Sequence, residues 1–414
     1  MFFELDQLLI YRNALQDGLI IKLRENLQTE GALESCPEFV CELIKKAEEK
    51  GLEGNVLTNY MIYLIMQEEN IFSTTIEKTG GRIGTSLYTA VIHDIAILKK
   101  WLKACKDSFF KNSIIADYRP TYTVVNESFA TLRDCFLDIT RVYTSQETAD
   151  LLIQHYASHG YGEMASSAAF RWDKKAGLVA ITDYDAIRLE DIVGYERQKQ
   201  VLISNTEALL AGKLANNVLL VGARGTGKSS SVKALVNRYF EKGLRLVEVS
   251  KNELKDLYEI MNALRTRGKK FIIFLDDLSF EDFEVEYKVL KSVIEGGIQS
   301  KPENVLIYAT SNRRHLVREV WSDRAGTGDE VHHSDSVNEK ISLSDRFGIT
   351  LTYASPNQEE YLRIVEEIAK KQKISLPSFE LRAEALKWEL RHSGRSGRVA
   401  QQFIAHMVGR MAVG

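Results

Sequence analysis

The residues Gly222-Ala223-Arg224-Gly225-Thr226-Gly227-Lys228-Ser229 follow the apolar run NNVLLVG (216–222) and lead into the helical pattern SSSVKAL. They satisfy G-x-x-x-x-G-K-[ST] in the place where that pattern has physical meaning, between the end of a strand and the start of a helix. Glycines let the backbone curl so that successive N–H groups point inward at a phosphate, and the helix that follows adds the positive end of its dipole. Lys228 then neutralises the β and γ oxygens of a nucleotide, and Ser229 offers a hydroxyl to Mg²⁺. Gly222 to Ser230 are therefore expected to form a phosphate-binding loop, with ATP and Mg²⁺ as its ligands.

Around this loop, from about Leu189, short β-branched and apolar runs alternate with helical patterns. The runs are NNVLLVG, LRLVEV (244–249), FIIFL (271–275), VLIYAT (305–310) and ITLTY (349–353). Strands that are hydrophobic almost throughout suit a sheet buried on both faces, so the pattern predicts an α/β layer with a five-stranded parallel sheet. A nucleotide site that hydrolyses needs a second, metal-side acid. FIIFL is followed by Asp276, at the strand end where an open parallel sheet presents its ligands, and by Asp277, which could orient an attacking water; Glu281 is the rival for that task.

Before the sheet the chain reads helix after helix from Phe2 to about His159. Two extended runs, AAFRWD and GLVAIT, joined across Lys174 to Gly177, then read as a β-hairpin. The expected organisation is a mainly helical N-terminal domain ending in this hairpin (1–185), a nucleotide-binding core (186–354) and a small C-terminal helical lid (355–414).

With 414 residues the chain exceeds a single core. Its 44% hydrophobic and 27% charged residues exclude a disordered or collagen-like chain. The net charge of -3 supplies no global attraction to nucleic acid or an anionic membrane, although Lys99, Lys100, Lys103 and Lys106 make a thin basic stripe. Four scattered cysteines form no disulfide framework and complete no zinc site. The N-terminus mixes acidic with apolar residues and lacks a basic n-region, and the apolar run Tyr60 to Met66 is too short for a bilayer. A cytoplasmic, soluble protein is expected.

From about Leu189 to the C-terminus the chain resembles the AAA+ ATPases, on five motifs in order. LEDIVGYE (189–196) resembles the segment that lines the adenine pocket, which implies Val193 and Gly194 as contacts; the phosphate loop and FIIFLDD follow. Asn312 in ATSNRRHL is similar to the sensor-1 residue beside the γ-phosphate. Arg346 in SLSDRFG is similar to the arginine finger that one subunit inserts into its neighbour's site, and Arg398 in RSGRVAQQF to the sensor-2 arginine of the lid, with Arg391 and Arg395 as competitors. More narrowly, GARGTGKSSSVKAL, FLDDLSFE, YATSNRRHLVRE, LSDRFG and GRSGRVAQQF are similar to the bacterial AAA+ family catalogued as domain of unknown function 815. The resemblance implies an ATP-hydrolysing enzyme assembled as a homo-oligomeric ring or open helix; it implies no substrate, and the expectation of an unidentified protein client rests on the N-terminal half, which carries no catalytic constellation of its own. The chain departs from the commoner pattern in carrying Asp277 where glutamate is usual. Two other readings remain beside it: a nucleotide-gated sensor with little turnover, and a DNA-associated loader or initiator. Arg313 and Arg314 read as phosphate-side or intersubunit charges, the polar stretch 323–340 as a loop, and His332-His333 as solvated side chains.

Overall fold

Backbone amides buried under apolar side chains must find partners in a ladder, which is why the apolar runs become strands. The computed structural model describes residues 2–28, 37–108, 114–122, 127–280, 285–295, 301–312, 346–374, 376–392 and 394–413. Its strands are β1 (Ala169–Asp173), β2 (Gly177–Ala180), β3 (Val218–Gly222), β4 (Leu244–Glu248), β5 (Lys270–Leu275), β6 (Val305–Ser311) and β7 (Ile349–Tyr353). They form one sheet in the order β2-β1-β4-β5-β6-β3-β7. The five expected runs are β3 to β7, and neighbours among them pair in parallel.

The sheet is seven-stranded and mixed, not a five-stranded parallel one. Strand β1 pairs in parallel with β4, Phe170 opposite Val247, and β2 returns antiparallel with Phe170 opposite Ala180. Without this hairpin β4 would present an unpaired row of amides and carbonyls at the sheet edge. Apolar side chains on both flanks carry the rest: every residue of β6 is buried, and so are five of six in β5.

The chain divides into two units, Met1–Ser166 with Arg267–Lys269, and Ser167–Thr266 with Lys270–Gly414. The division falls ahead of the hairpin, which belongs with the sheet. The first unit is built from α1 (Gly18–Gln28), α2 (Pro37–Lys50), α3 (Val56–Gln67), α4 (Ile71–Thr79), α5 (Thr85–Ser108), α6 (Glu127–Leu137), α7 (Ser145–Ser158) and the single turn α8 (Glu163–Ser166). Side-chain caps start several of them. Asn55 accepts from the Thr58 amide, Asn70 from Phe72 and Ser73, and Thr144 with Glu147 closes a capping box. Tyr11, Phe72, Trp101 and Tyr156 fill the core between the helices.

Two carboxylates tie the N-terminal segment to these helices. Asp94 of α5 is fully buried, and its carboxylate accepts the main-chain N–H groups of Leu9, Ile10 and Tyr11 at 2.7–3.1 Å. Glu68 accepts those of Asn13 and Ala14. Burial pushes the Glu68 carboxyl up to about 7, although the two amides oppose the shift.

In the second unit α9 (Glu196–Leu210), α10 (Lys228–Tyr239), α11 (Leu257–Arg265) and α12 (Val285–Glu295) accompany the sheet. The helices α13 (Gln358–Lys371), α14 (Ser378–Arg391) and α15 (Gly397–Val413) pack around Tyr361, Val365, Leu381, Ala385 and Phe403 as a small lid. One polar network crosses the sheet core: the Tyr308 hydroxyl of β6 accepts from Asn205 and shares a hydrogen bond with Thr206, both on α9.

Because a buried amide without an acceptor costs about 1–3 kcal/mol, Asp94→Ala is expected to lower the unfolding free energy by about 3 kcal/mol or more. Denaturant titration of the full chain with a tyrosine or tryptophan signal reads it; a loss under about 1 kcal/mol would show that water replaces the carboxylate.

Candidate functional site

Strand β3 ends at Gly222, and the loop that follows turns over into α10. Gly222 adopts φ +146°, and a Cβ there would fall 2.0 Å from the Tyr353 carbonyl oxygen, so only glycine lets the loop leave β3 against the end of β7. Gly225 adopts φ +76°, where a Cβ would meet Ser396 Oγ at 2.9 Å and Arg398 Cβ at 3.0 Å. The start of α15 therefore rests directly on the loop, and the Arg398 amide donates to the Gly225 carbonyl at 3.3 Å.

Beside the loop opens a cleft of about 560 Å³, within the range of small-molecule sites. Arg224, Gly225, Thr226, Gly227, Lys228, Ser229 and Ser230 line it, with Asp276, Asp277, Asn312, Val193 and Arg398. Most of the residues singled out in the sequence thus converge on one space. Gly222 and Ala223 reach it through their carbonyls, which accept from Lys228 Nζ at 2.8 and 2.7 Å. Gly194 stands outside the lining. Glu281, Arg313, Arg314, the stretch 323–340 and His332-His333 lie outside the described residues.

Lys228 is buried, and its ammonium also donates to Asn312 Oδ1 at 3.0 Å. Burial holds its pKa below the ordinary lysine value, the charges of Asp277 and Asp276 oppose that, and Arg224 and Arg398 add to it. The Asn312 amide donates to Asp277 Oδ1, and Arg224 approaches Asp277 Oδ2 at 3.8 Å. Asp277 itself sits at φ +50°, an uncommon position for a residue with a side chain. Asp276 Oδ1 accepts from Ser229 Oγ at 2.6 Å and from Thr310 Oγ1 at 2.6 Å.

Away from the phosphate loop the cleft turns apolar, lined by Ile187, Ile192, Val193, Tyr195, Ile364 and Ile368. The Tyr195 hydroxyl donates to the Ala354 carbonyl at 2.6 Å and its ring stacks on Tyr353 with centroids 4.7 Å apart. Asp191 at the rim accepts from Lys371 of α13 at 2.6 Å, and the ammonium holds its carboxyl below the usual range. Cationic loop at one end and aliphatic slot at the other suit an amphiphilic anion with a flat base.

Three arginines resolve differently. Arg398 lines the cleft; Arg395 is held by Glu389 at 3.0 Å, and Arg391 is exposed on α14 outside the lining. Arg346 pairs with Glu295 of α12 and does not line the cleft of its own chain. In the first unit the lysine stripe is largely neutralised: Lys99 and Lys103 pair with Asp138, and Lys100 with Glu4. Thr310, Asp191, Ile192, Tyr195, Ile364, Ile368 and Gln401 were not singled out as site residues in the sequence. Ile364 and Ile368 had a signal, being four apart on one face of α13.

For a divalent cation the donor chemistry fits. Asp276 Oδ1 is occupied by hydroxyl and amide donors, while Ser229 donates its proton and keeps its lone pairs. Hard oxygens of this kind suit Mg²⁺, which is completed by waters and substrate phosphates. Among the described residues no group of three or more His, Cys, Asp or Glu converges on one point. None of the described helices is long and apolar enough to cross a membrane.

A parallel-sheet core carrying its phosphate loop between β3 and α10, acids at the end of β5, a polar residue closing β6 and a helical lid define an AAA+-like P-loop protein. The chain belongs to the family described as Protein of unknown function (DUF815), whose model matches residues 165–411. No curated protein matches it. Similar solved structures include the Thermotoga maritima RuvB Holliday junction branch migration motor, 16% identical over 55% of this chain and 65% of that one, with a TM-score of 0.38. A mutant of the same protein is 19% identical over 55% and 66%, with a TM-score of 0.40. The chain thus spans just under two thirds of these RuvB chains.

Gly222→Ala is expected to lower the unfolding free energy by about 1–3 kcal/mol or more, because the new methyl cannot share space with the Tyr353 carbonyl. Thermal unfolding followed by circular dichroism measures it, and an unchanged melting temperature would mean that β7 moves aside freely.

Proposed function

We propose that the chain binds ATP together with Mg²⁺ and hydrolyses it to ADP and phosphate, as an AAA+ type ATPase that remodels or switches a protein client. The observation that carries this reading is the pair of hydrogen-bonded chains Lys228–Asn312–Asp277 and Ser229–Asp276–Thr310, which join the phosphate loop to the ends of β5 and β6.

In phosphoryl transfer to water nearly all catalysis is positioning and charge stabilisation. The loop amides and Lys228 cradle the phosphates. Ser229 and Asp276 would hold the metal, which when bound neutralises charge on the β and γ oxygens. Asp277, with Glu281 as its rival, orients the attacking water, and Asn312 lies within reach of both Lys228 and Asp277, where it can report the γ-phosphate. Val193 and the surrounding isoleucines take the adenine. Arg398 brings the lid's charge to the phosphates.

Arg346 lies away from its own cleft, which supports a role in a neighbour's site. A finger used in that way requires head-to-tail contacts, which close into a ring or continue as a helix. A second reading, a nucleotide-gated switch with little turnover, is favoured by Asp277: its carboxylate is a methylene shorter than glutamate and already engaged by Asn312. A DNA-associated role finds less support, since three of the four lysines of the basic stripe face carboxylates of their own unit.

Phosphate release from Mg-ATP, measured against protein concentration, separates these readings. Specific activity is expected to rise with concentration and to vanish in Lys228→Ala; ATP binding at the blank rate of turnover would select the switch. Arg346→Ala is expected to bind ATP within about twofold of the wild type and to lose on the order of 10³-fold or more in turnover. Weakened binding by that variant would assign Arg346 to its own fold through Glu295.

A further inference from the structure

We infer that Thr310 of β6 is a positioning residue for the two acids at the end of β5, a role that rests on the ATPase reading given above. Its side chain is buried, with 1% exposure. A hydroxyl in such a place must use its donor and at least one lone pair inside the protein.

Thr310 does both. Its Oγ1 accepts the Asp277 amide at 2.9 Å, so the hydroxyl proton is committed elsewhere, and it goes to Asp276 Oδ1 at 2.6 Å. The Thr310 carbonyl accepts the Leu278 amide at 2.7 Å. One residue therefore fixes three consecutive positions across the β5–β6 boundary, and register explains why: Leu275 pairs with Ala309, which brings position 310 beside 276.

Two consequences follow for the acids. Asp276 Oδ1 receives protons from Thr310, from Ser229 and, at 3.1 Å, from the Asp277 amide. Three donors on one oxygen fix the carboxylate plane and turn the other oxygen, Oδ2, to the task of holding a cation with Ser229. The same hydroxyl anchors the Asp277 amide, which steadies its φ of +50° and with it the direction of the Asp277 side chain. Strain of this kind persists only where the surroundings over-determine it.

Thr310→Val keeps the shape and removes both hydrogen bonds, whereas Thr310→Ser keeps the hydroxyl. The measurements are the affinity of the full-length protein for a fluorescent ATP analogue with and without Mg²⁺, the Mg²⁺ concentration giving half-maximal turnover, and the melting temperature. For Thr310→Val the expectation is metal-free nucleotide affinity within about twofold of wild type. Mg²⁺ should then strengthen that affinity far less, by a factor about tenfold smaller than in the wild type; the half-saturating Mg²⁺ should rise by a similar factor, because outer-shell partners typically contribute 10–100-fold. Thr310→Ser should return close to wild type on both. Thr310→Val with unchanged Mg²⁺ dependence overturns the inference, as does a serine variant that behaves like valine. A wild-type chain whose nucleotide affinity ignores Mg²⁺ would instead remove the metal-assisted ATPase reading itself, whatever the variants do.

Discussion

The buried ammonium of Lys228 is the charge that the architecture of the second unit has to accommodate. Taking an ammonium out of water costs several kcal/mol unless its protons are all received and a counter-charge is near. Its three acceptors come from Gly222, Ala223 and Asn312, that is, from the loop behind it and from the end of β6. Two of those acceptors are main-chain carbonyls, available only because the loop doubles back over the side chain. That turn requires Gly222, whose position any side chain would contest with Tyr353. The third acceptor requires β6 to run beside β3 and to end level with it, which the parallel pairing of Val221 with Ser311 ensures. Counter-charge arrives from Asp276 and Asp277, just past the end of β5, the next strand over. The sheet order is thus tied to the electrostatics: β5, β6 and β3 must be adjacent for the lysine to be buried at all.

What could be read from the sequence follows the same division between local and distant determinants. Four of the five apolar runs were legible because strands covered on both faces need no partner to declare themselves, whereas β7, with Thr350 and Thr352 exposed, alternates like an edge strand. The loop glycines were legible because their spacing is itself the geometry. The hairpin was legible as a hairpin, but its alternating exposure, Ala169 and Phe170 inside and Arg171 out, says nothing about which strand it joins. Its neighbour β4 lies some seventy residues further on, and that pairing is a matter of sheet edges. Thr310 stayed hidden for a comparable reason: a threonine in VLIYAT reads as an ordinary strand former, and only register with β5 brings it beside Asp276. Among the three arginines near the start of α15, the motif RSGRVAQQF favoured Arg398; in the structure Glu389 holds Arg395, and the Arg398 amide meets the loop. The pairing of the lysine stripe of α5 with Asp138 and Glu4 was not legible, because both carboxylates are distant from it in sequence.

The lid touches the cleft at both of its ends, by different chemistry. At the loop, Arg398 donates its amide to Gly225 and Gly397 lies so close that an added Cβ would be 3.3 Å from the same carbonyl. At the apolar end, Ile364 and Ile368 of α13 form part of the wall, and Lys371 one turn further bonds the Glu190 carbonyl and the Asp191 carboxylate. The first set of contacts is short and steric; the second combines aliphatic burial with an ion pair whose lysine is 44% exposed and therefore weak by itself. A ligand spanning phosphate loop and aliphatic slot would engage both sets at once, and a ligand lacking either end would engage only one. A lid can respond to a bound molecule only through such differential contacts. The start of α15 thus sits directly against the loop, whereas the contact at the apolar end rests partly on a half-exposed ion pair.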